Sequence, residues 1–333
     1  MASLAAAMRP LEKTITVRDR RFLLRVETSP EAKDYAKYEA LREEIWGFPG
    51  DHLASPLNMM SESVFHEGGS LFIGAFAEAG GEGRFKTDAE HLAGFCYGYV
   101  GVRDPTIGYR ETTNLRFYAQ YAGVRAAYQS YGLGILLKEF QREMVRDLLG
   151  LAAIICTYDP LTGVNANRNI HHFGMDVLEY RVATYGEYGG LLNRPDVPTD
   201  RFLMSWDLDR TKAGRRGVDP QAVLSAPETI QAGLRRVEGK SGPVDLEVVE
   251  AVRPDIEGDV LLVRIPLDLY RMLGDTDVPD PQVKRIPVDW RLATREVFTT
   301  LFARGFRIVD FLKATAEAPA NRYVLRRDGG PRR

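Results

Sequence analysis

The chain has 333 residues, 44% hydrophobic and 27% charged, with a formal net charge of -2. That length suggests about two domains with a sizeable core, and a charge so near zero supplies no global field for nucleic acid. No apolar run approaches the roughly 20 residues that cross a bilayer, so neither nucleic acid nor membrane is an expected partner.

Two basic clusters, 212–216 and 326–333, read as a solvated linker and a frayed terminus. In the opening "MASLAAAMRPLEK" the apolar stretch is short and its charges follow it, so it is not expected to act as a signal peptide. Cys96 and Cys156 lie far apart in apolar runs. They are expected as buried thiols in a reducing cytoplasm, the expected location.

In chain order, "RFLLRVETS" (21–29) is a strand ending in turn residues. "SPEAKDYAKYEALREEIWG" follows as a helix with Ser29 and Pro30 as N-cap and N1, Tyr35, Tyr38, Leu41 and Ile45 at helical spacing, and Gly47 as its stop. Residues 48–69 read as irregular. "SLFIGAFAEAGGEG" and "HLAGFCYGYVGVRD" form a hairpin. "TNLRFYAQYAGVR" alternates, with Leu115, Phe117, Ala119 and Tyr121 on one face and Arg116, Tyr118 and Gln120 on the other.

"QSYGLGILLKEFQREMVRDLLG" (129–150) is a glycine-bearing turn leading into a helix whose apolar face is Leu133, Leu136/Leu137, Phe140, Met144 and Leu148. "AAIICTYDP" is a buried strand, and "TGVNANRNIHHFGMDVLEY" a short helix closed by Gly174 before another strand. The order β-α-β-β-β-α-β-α-β implies an α/β (α+β) fold with a mixed sheet, not a doubly wound parallel one.

Residues 209–243, with "DRTKAGRRGVDPQ" and "EGKSGP", read as a linker around a small helix. Beyond it, strands are expected at 244–252, 260–265, 306–311 and 322–326, with a helix at 290–303. The expected domains are therefore 1–208, the linker 209–243, and a C-terminal α/β unit at 244–333.

Gly132 and Gly134 fall in the first turn of a helix that follows a strand. Such a helix start presents unpaired N–H groups and the positive end of a macrodipole, and glycine lets an anion approach the backbone. The spacing is neither G-x-G-x-x-G nor a Walker loop. It resembles Q/R-x-x-G-x-G/A, the pyrophosphate loop of the Gcn5-related N-acetyltransferases (GNAT), with Gln129, Gly132 and Gly134 at its fixed positions. The likeness spans roughly 20–208. It extends to a longer-chain group of these transferases through "GVRAAYQSYGLGILLKEFQRE", "DPLTGVNANRNIHHFG" and "VPTDRFLMSWDL". Some of that group are thought to be amino-acid N-succinyltransferases.

The resemblance implies a mostly antiparallel GNAT sheet splayed between its fourth and fifth strands, and direct transfer from acetyl-CoA or another acyl-CoA to a small amine. Main-chain N–H groups of Gln129, Ser130, Tyr131, Gly132, Leu133 and Gly134 would hold the CoA diphosphate. The open strand edge at Ala122, Gly123 and Val124 would hold the pantetheine. Asn165 and Asn169 would either cap helical backbone or touch the pantetheine. Relatives carry a tyrosine at the position of Ile170, so acid–base work is open, with Tyr118, His171, Tyr185, Tyr158 or a water chain as candidates. Tyr185 equally suits a plain turn.

Arg116 and Gln120 would face the acceptor, Arg116 suiting a carboxylate on an amino acid or a succinyl group unless it pairs with a surface acid. His171 and His172 point about 100° apart on a helix and have no completing ligand nearby, so no metal is expected. An acyl-CoA sensor without activity and a protein acetyltransferase are the alternatives. For the C-terminal unit, a degenerate copy of the same fold, the expected roles are covering a sheet edge, walling the acceptor site or forming a homodimer contact.

Overall fold

The computed structural model describes residues 10–47, 54–80, 83–186, 189–210 and 218–327. The 212–216 cluster, residues 48–53 of the stretch expected as irregular, and the tail from 328 lie outside the described residues. Two compact units divide the chain: 1–156 with 207–209, and 157–206 with 210–333.

The first unit begins with a hairpin of β1 (Glu12–Val17) and β2 (Arg20–Val26). Then come α1 (Ala36–Trp46), α2 (Pro56–Ser61), β3 (Ser70–Ala79), the short β4 (Arg84–Phe85), β5 (Leu92–Val102), β6 (Leu115–Val124), α3 (Leu133–Asp147) and β7 (Ala153–Tyr158). β2, β3, β5 and β6 pair antiparallel in that order, β1 lies outside β2, and β7 pairs parallel with β6. The mixed, mostly antiparallel sheet expected of the sequence is present.

Tyr35, just before α1, and Tyr38 and Leu41 within it pack against Phe72, Phe76, Phe95 and Tyr97 on one face of the sheet. On the other face Leu133 packs with Phe22, Ala77 and Ala93. The helix starts later than Ser29 and Pro30 suggest: a 3-10 turn, Ala32–Tyr35, precedes α1. The Ser29 hydroxyl donates to Asp34, and the buried Glu27 carboxylate accepts from Thr28 N, Ser29 N, Lys37 Nζ and Tyr38 OH. Gly47 closes α1 in the left-handed region at φ 63°, as its position predicts.

In the second unit, α4 (Gly163–Ala166) runs into a π-helical turn, Asn167–His172, and Gly174 at φ 66° ends it. β8 (Asp176–Arg181) pairs antiparallel with β9 (Arg201–Asp207). Next come α5 (Pro220–Val223), β10 (Ile230–Gly239), β11 (Gly242–Val252), β12 (Val260–Ile265), α6 (Leu269–Asp275), α7 (Pro281–Lys284), α8 (Ile286–Ala303), β13 (Phe306–Leu312) and β14 (Asn321–Arg327). β12, β14 and β13 form an antiparallel sheet, and β10 with β11 a two-stranded ribbon.

Two expectations are corrected here. Residues 230–239, read as linker, are a strand. Gln231, Leu234, Arg235, Arg236 and Glu238 are exposed, so β10 lacks the alternation that marks a half-buried strand. An edge lies at 209/210, next to the expected 208/209, but further edges fall at 156/157 and 206/207. Residues 157–206 belong with the C-terminal segment because buried carboxylates at Asp159 and Asp200 bind arginines of α8.

Candidate functional site

β6 carries the first unit's candidate site. Tyr97 lies opposite Tyr121 and Gly98 opposite Ala119, which leaves Gln120 as the extra residue of a β-bulge. The bulge resets the alternation. Tyr118 meets Tyr99 at 5.5 Å between ring centroids, and Tyr121 meets Trp46 of α1 at 5.4 Å. Tyr121 therefore shares the face of Tyr118, and its expected place beside Phe117 is corrected.

Together with Tyr97, packed on Phe72 at 4.5 Å, these rings make a tyrosine-rich face under α1. Tyr97 OH donates to Glu62 Oε2 at 3.4 Å, and Ser70 Oγ lies 3.4 Å from the same hydroxyl. Burial first, with the Glu62 charge adding to it, pushes the Tyr97 phenol up to about 12, the Ser70 contact opposing. Glu62 is exposed and was not singled out from sequence, where nothing in "SESVFHEGG" separates it from any surface acid.

Only Phe117↔Ile154 and Tyr118↔Ile155 pair β6 with β7 among the described residues. β6 continues to Val124 beyond that register, so Ala122, Gly123 and Val124 lie past the paired segment. A Cβ on Gly123 would come within 2.6 Å of Ile45 Cδ1 and 2.7 Å of Trp46, so α1 closes directly on the strand backbone there.

The glycine turn hangs from the end of β6. Arg125 is clamped by both Glu44 oxygens at 3.1 Å and by the carbonyls of Glu90 and Ala89. A 3-10 turn, Ala126–Tyr131, follows. Gln129 Nε2 donates to Val124 O at 3.4 Å, tying the turn to the strand it leaves. Gly132 caps α3 at φ 68°, ψ 15°, and a Cβ placed there would meet nothing within 4 Å, so it is the backbone sign and not crowding that calls for glycine.

Gly132 O accepts from Ile135 N at 2.9 Å, so the amides of Gly132, Leu133 and Gly134 precede the first intrahelical bond. Leu133 is fully buried and Tyr131 packs on Phe22, which leaves their main chain as the part able to meet a ligand. α3 presents Leu133, Leu137, Phe140 and Met144 to the core, the face read from sequence.

The remaining candidates belong to the second unit. His171 Nδ1 lies 2.9 Å from Asp310 Oδ1 on β13. Tyr185 OH lies 2.9 Å from Thr157 Oγ1, and Arg201 stands over its ring at 5.3 Å. Asn165 donates to Thr162 Oγ1 and accepts from Arg168, so its amide serves its own turn, while Asn169 is buried. Tyr158 OH is 3.1 Å from the buried Tyr323 hydroxyl.

The sequence stretches "DPL" and "VPTDR" acquire a structural role. Asp159 accepts from Arg201, Arg291 and Leu161 N, and Asp200 from Tyr180 OH, Ala183 N and both Nε and Nη2 of Arg295. Burial alone would raise the Asp159 carboxyl; Arg291 and then Arg201 outweigh it and hold the group below the ordinary carboxylate value. Thr199 Oγ1 accepts from Tyr185 N and donates to Gly186 O, which fixes the Tyr185 turn. No His, Cys, Asp and Glu group among the described residues has metal-binding geometry.

No family model matches the chain, and no curated protein matches it. Among solved structures it is similar to Arabidopsis thaliana NAA60 in complex with acetyl-CoA, at 11% identity and a TM-score of 0.42, over 57% of this chain and 99% of that one. It is similar also to the ribosomal-protein-S18-alanine N-acetyltransferase of Escherichia coli, at 15% identity and 0.38, over 58% and 99%. A third is the acetyltransferase of GNAT family from Streptococcus pneumoniae, at 15% and 0.39, over 55% and 98%. At such identities and TM-scores no residue role, substrate or partner passes from those proteins to this chain.

Proposed function

We propose that the chain is an acyl-CoA-dependent N-acyltransferase that moves an acetyl or succinyl group directly onto a small amine, an amino acid being the preferred acceptor. The observation that carries this is the junction of β6 and α3. A strand that runs on past its pairing with β7 delivers a left-handed glycine and the first-turn amides of a 15-residue helix. The amides of Ser130, Tyr131, Gly132, Leu133 and Gly134 suit a diphosphate, and the backbone at Ala122, Gly123 and Val124 suits an amide-bearing pantetheine laid alongside as an extra strand.

The acceptor reaches the tyrosine face, where Glu62 with Tyr97 attracts an ammonium and Arg116 a carboxylate. The ammonium gives up a proton, its nitrogen attacks the thioester carbonyl, the C–S bond breaks, and the thiolate takes a proton. Tyr118, His171 and Tyr185 are the groups proposed for these transfers. His171 Nδ1 lies 2.9 Å from Asp310 Oδ1, a contact within the second unit.

A thiol-release assay tests the reading. Acetyl-CoA and succinyl-CoA are offered with D- and L-amino acids, polyamines and a lysine peptide, and Gly132→Glu is the control because it puts a side chain and a negative charge at the amides. Release that needs one amine and disappears in the variant supports the transferase and names its substrates. One observation favours a second reading, an acyl-CoA sensor: Ile170 is a buried aliphatic side chain with no proton to give. Acyl-CoA that raises the melting temperature of the wild type without thiol release from any pool would decide for it.

A further inference from the structure

Arg18 and Arg20 flank the turn between β1 and β2, and both guanidinium groups converge on the tyrosines that precede Gly132. Arg18 Cζ stands 5.8 Å from the Tyr131 ring centroid; Arg20 Cζ stands 5.6 Å from it and 5.7 Å from that of Tyr128. The tyrosines are held from below by Phe22, at 5.9 Å and 5.6 Å, so they form a fixed platform.

Nearby arginines on the same hairpin are neutralised: Arg21 binds Glu78 at 3.0 Å, and Arg25 lies 3.9 Å from Glu12. Among the described residues Arg18 and Arg20 have no carboxylate partner, though Asp19 stands between them in sequence. Two like charges gathered on one aromatic pair repel unless an anion lies between them. Arg18 also holds φ 55°, a left-handed conformation a non-glycine residue adopts at a cost.

Resting on the acyl-CoA reading, we propose that Arg18 and Arg20 seat the ribose phosphomonoester of CoA, separately from the diphosphate on the α3 amides. CoA carries that group at the end remote from its thiol, next to the diphosphate. The glycine turn from Gln129 to Gly134 has no cation of its own, so the hairpin supplies the charge that a phosphate dianion requires. A guanidinium fork matches phosphate oxygens in pairs, and the rings beneath restrict its rotation.

Isothermal titration of the full chain with CoA and with dephospho-CoA, which lacks only this phosphate, tests the assignment. Wild type is expected to prefer CoA by about ten-fold or more, and the double variant Arg18→Ala/Arg20→Ala to lose that preference while binding dephospho-CoA within about two-fold of wild type. Arg21→Ala, removing an already paired charge, should keep the preference. Arg18→Gly guards against a folding artefact, since glycine relieves the left-handed strain: it should melt no lower than wild type and still bind CoA more weakly. Equal affinity of wild type for the two ligands, or an equal loss for both in the variants, overturns the assignment and leaves the acyl-CoA reading intact. Binding of neither ligand overturns both.

Discussion

Asp200 receives both Nε and Nη2 of Arg295, at 2.9 and 2.8 Å, across 95 residues of chain. The carboxylate is fully buried and also accepts from Tyr180 OH at 2.7 Å and Ala183 N at 2.9 Å. Removing it strands four donor groups of three residues at once. Asp200→Ala is expected to cost about 3–5 kcal/mol, because the partners left behind lose their acceptor in a place water does not reach. Arg295→Ala leaves the buried carboxylate with its bonds from Tyr180 and Ala183 but without the paired cation, so it should cost less, about 2–3 kcal/mol. Urea unfolding of the two variants checks the asymmetry, and equal costs would refute it.

Asp159 is expected to contribute to the loss of stability in acid. Its folded pKa is depressed below 3.8, since the arginine charges outweigh the burial that would raise it. The stability it contributes is therefore complete above that value and lost as pH falls through the lower folded pKa. Wild type should lose stability in this acid window, and Asp159→Asn should start weaker at neutral pH and show a shallower dependence below about pH 4. Thermal melts across that range in both proteins would expose a parallel dependence, which would remove Asp159 as the cause.

Gly132 separates backbone conformation from steric access. Space around it is open, so Gly132→Ala should pay only for the left-handed φ of 68°, about 1–2 kcal/mol. CoA affinity should fall little in the alanine variant and be abolished in Gly132→Glu. Calorimetric titration together with a melt reads both quantities. Equal CoA affinity for Gly, Ala and Glu at this position would remove the α3 amides from the site.

What could be read in advance follows from distance along the chain. α3 was legible because its buried residues Leu133, Leu137, Phe140 and Met144 repeat at helical spacing, and Gly132 because the left-handed cap falls where a strand must become a helix. The bulge at Gln120 left no mark, since a strand with one extra residue shows the same residue types and only the partner register reveals it. Asp159 and Arg291 are 132 residues apart, and no local pattern says which arginine a buried carboxylate will find. That pairing also accounts for a further edge at 156/157, which the composition does not mark. Glu62 was invisible for a similar reason: its bond to Tyr97 joins residues 35 apart.

On the proposed transferase reading, the Glu62–Tyr97 pair should separate acceptor binding from acyl-CoA binding. Tyr97, with its phenol pushed up to about 12 chiefly by burial, stays protonated at neutral pH and donates to the Glu62 carboxylate. One carboxylate oxygen is thereby oriented while the exposed remainder of the group is available to an ammonium on the tyrosine face. Glu62→Gln keeps the shape and removes the charge, so KM for the amine should rise about ten-fold, the scale of one charge-assisted hydrogen bond. KM for acyl-CoA should not move. Tyr97→Phe should raise the amine KM by a smaller factor, about two- to five-fold, because it releases the carboxylate without discharging it. Steady-state kinetics with each substrate varied in turn gives the split; a Glu62→Gln effect on acyl-CoA alone would place the amine elsewhere than on this face.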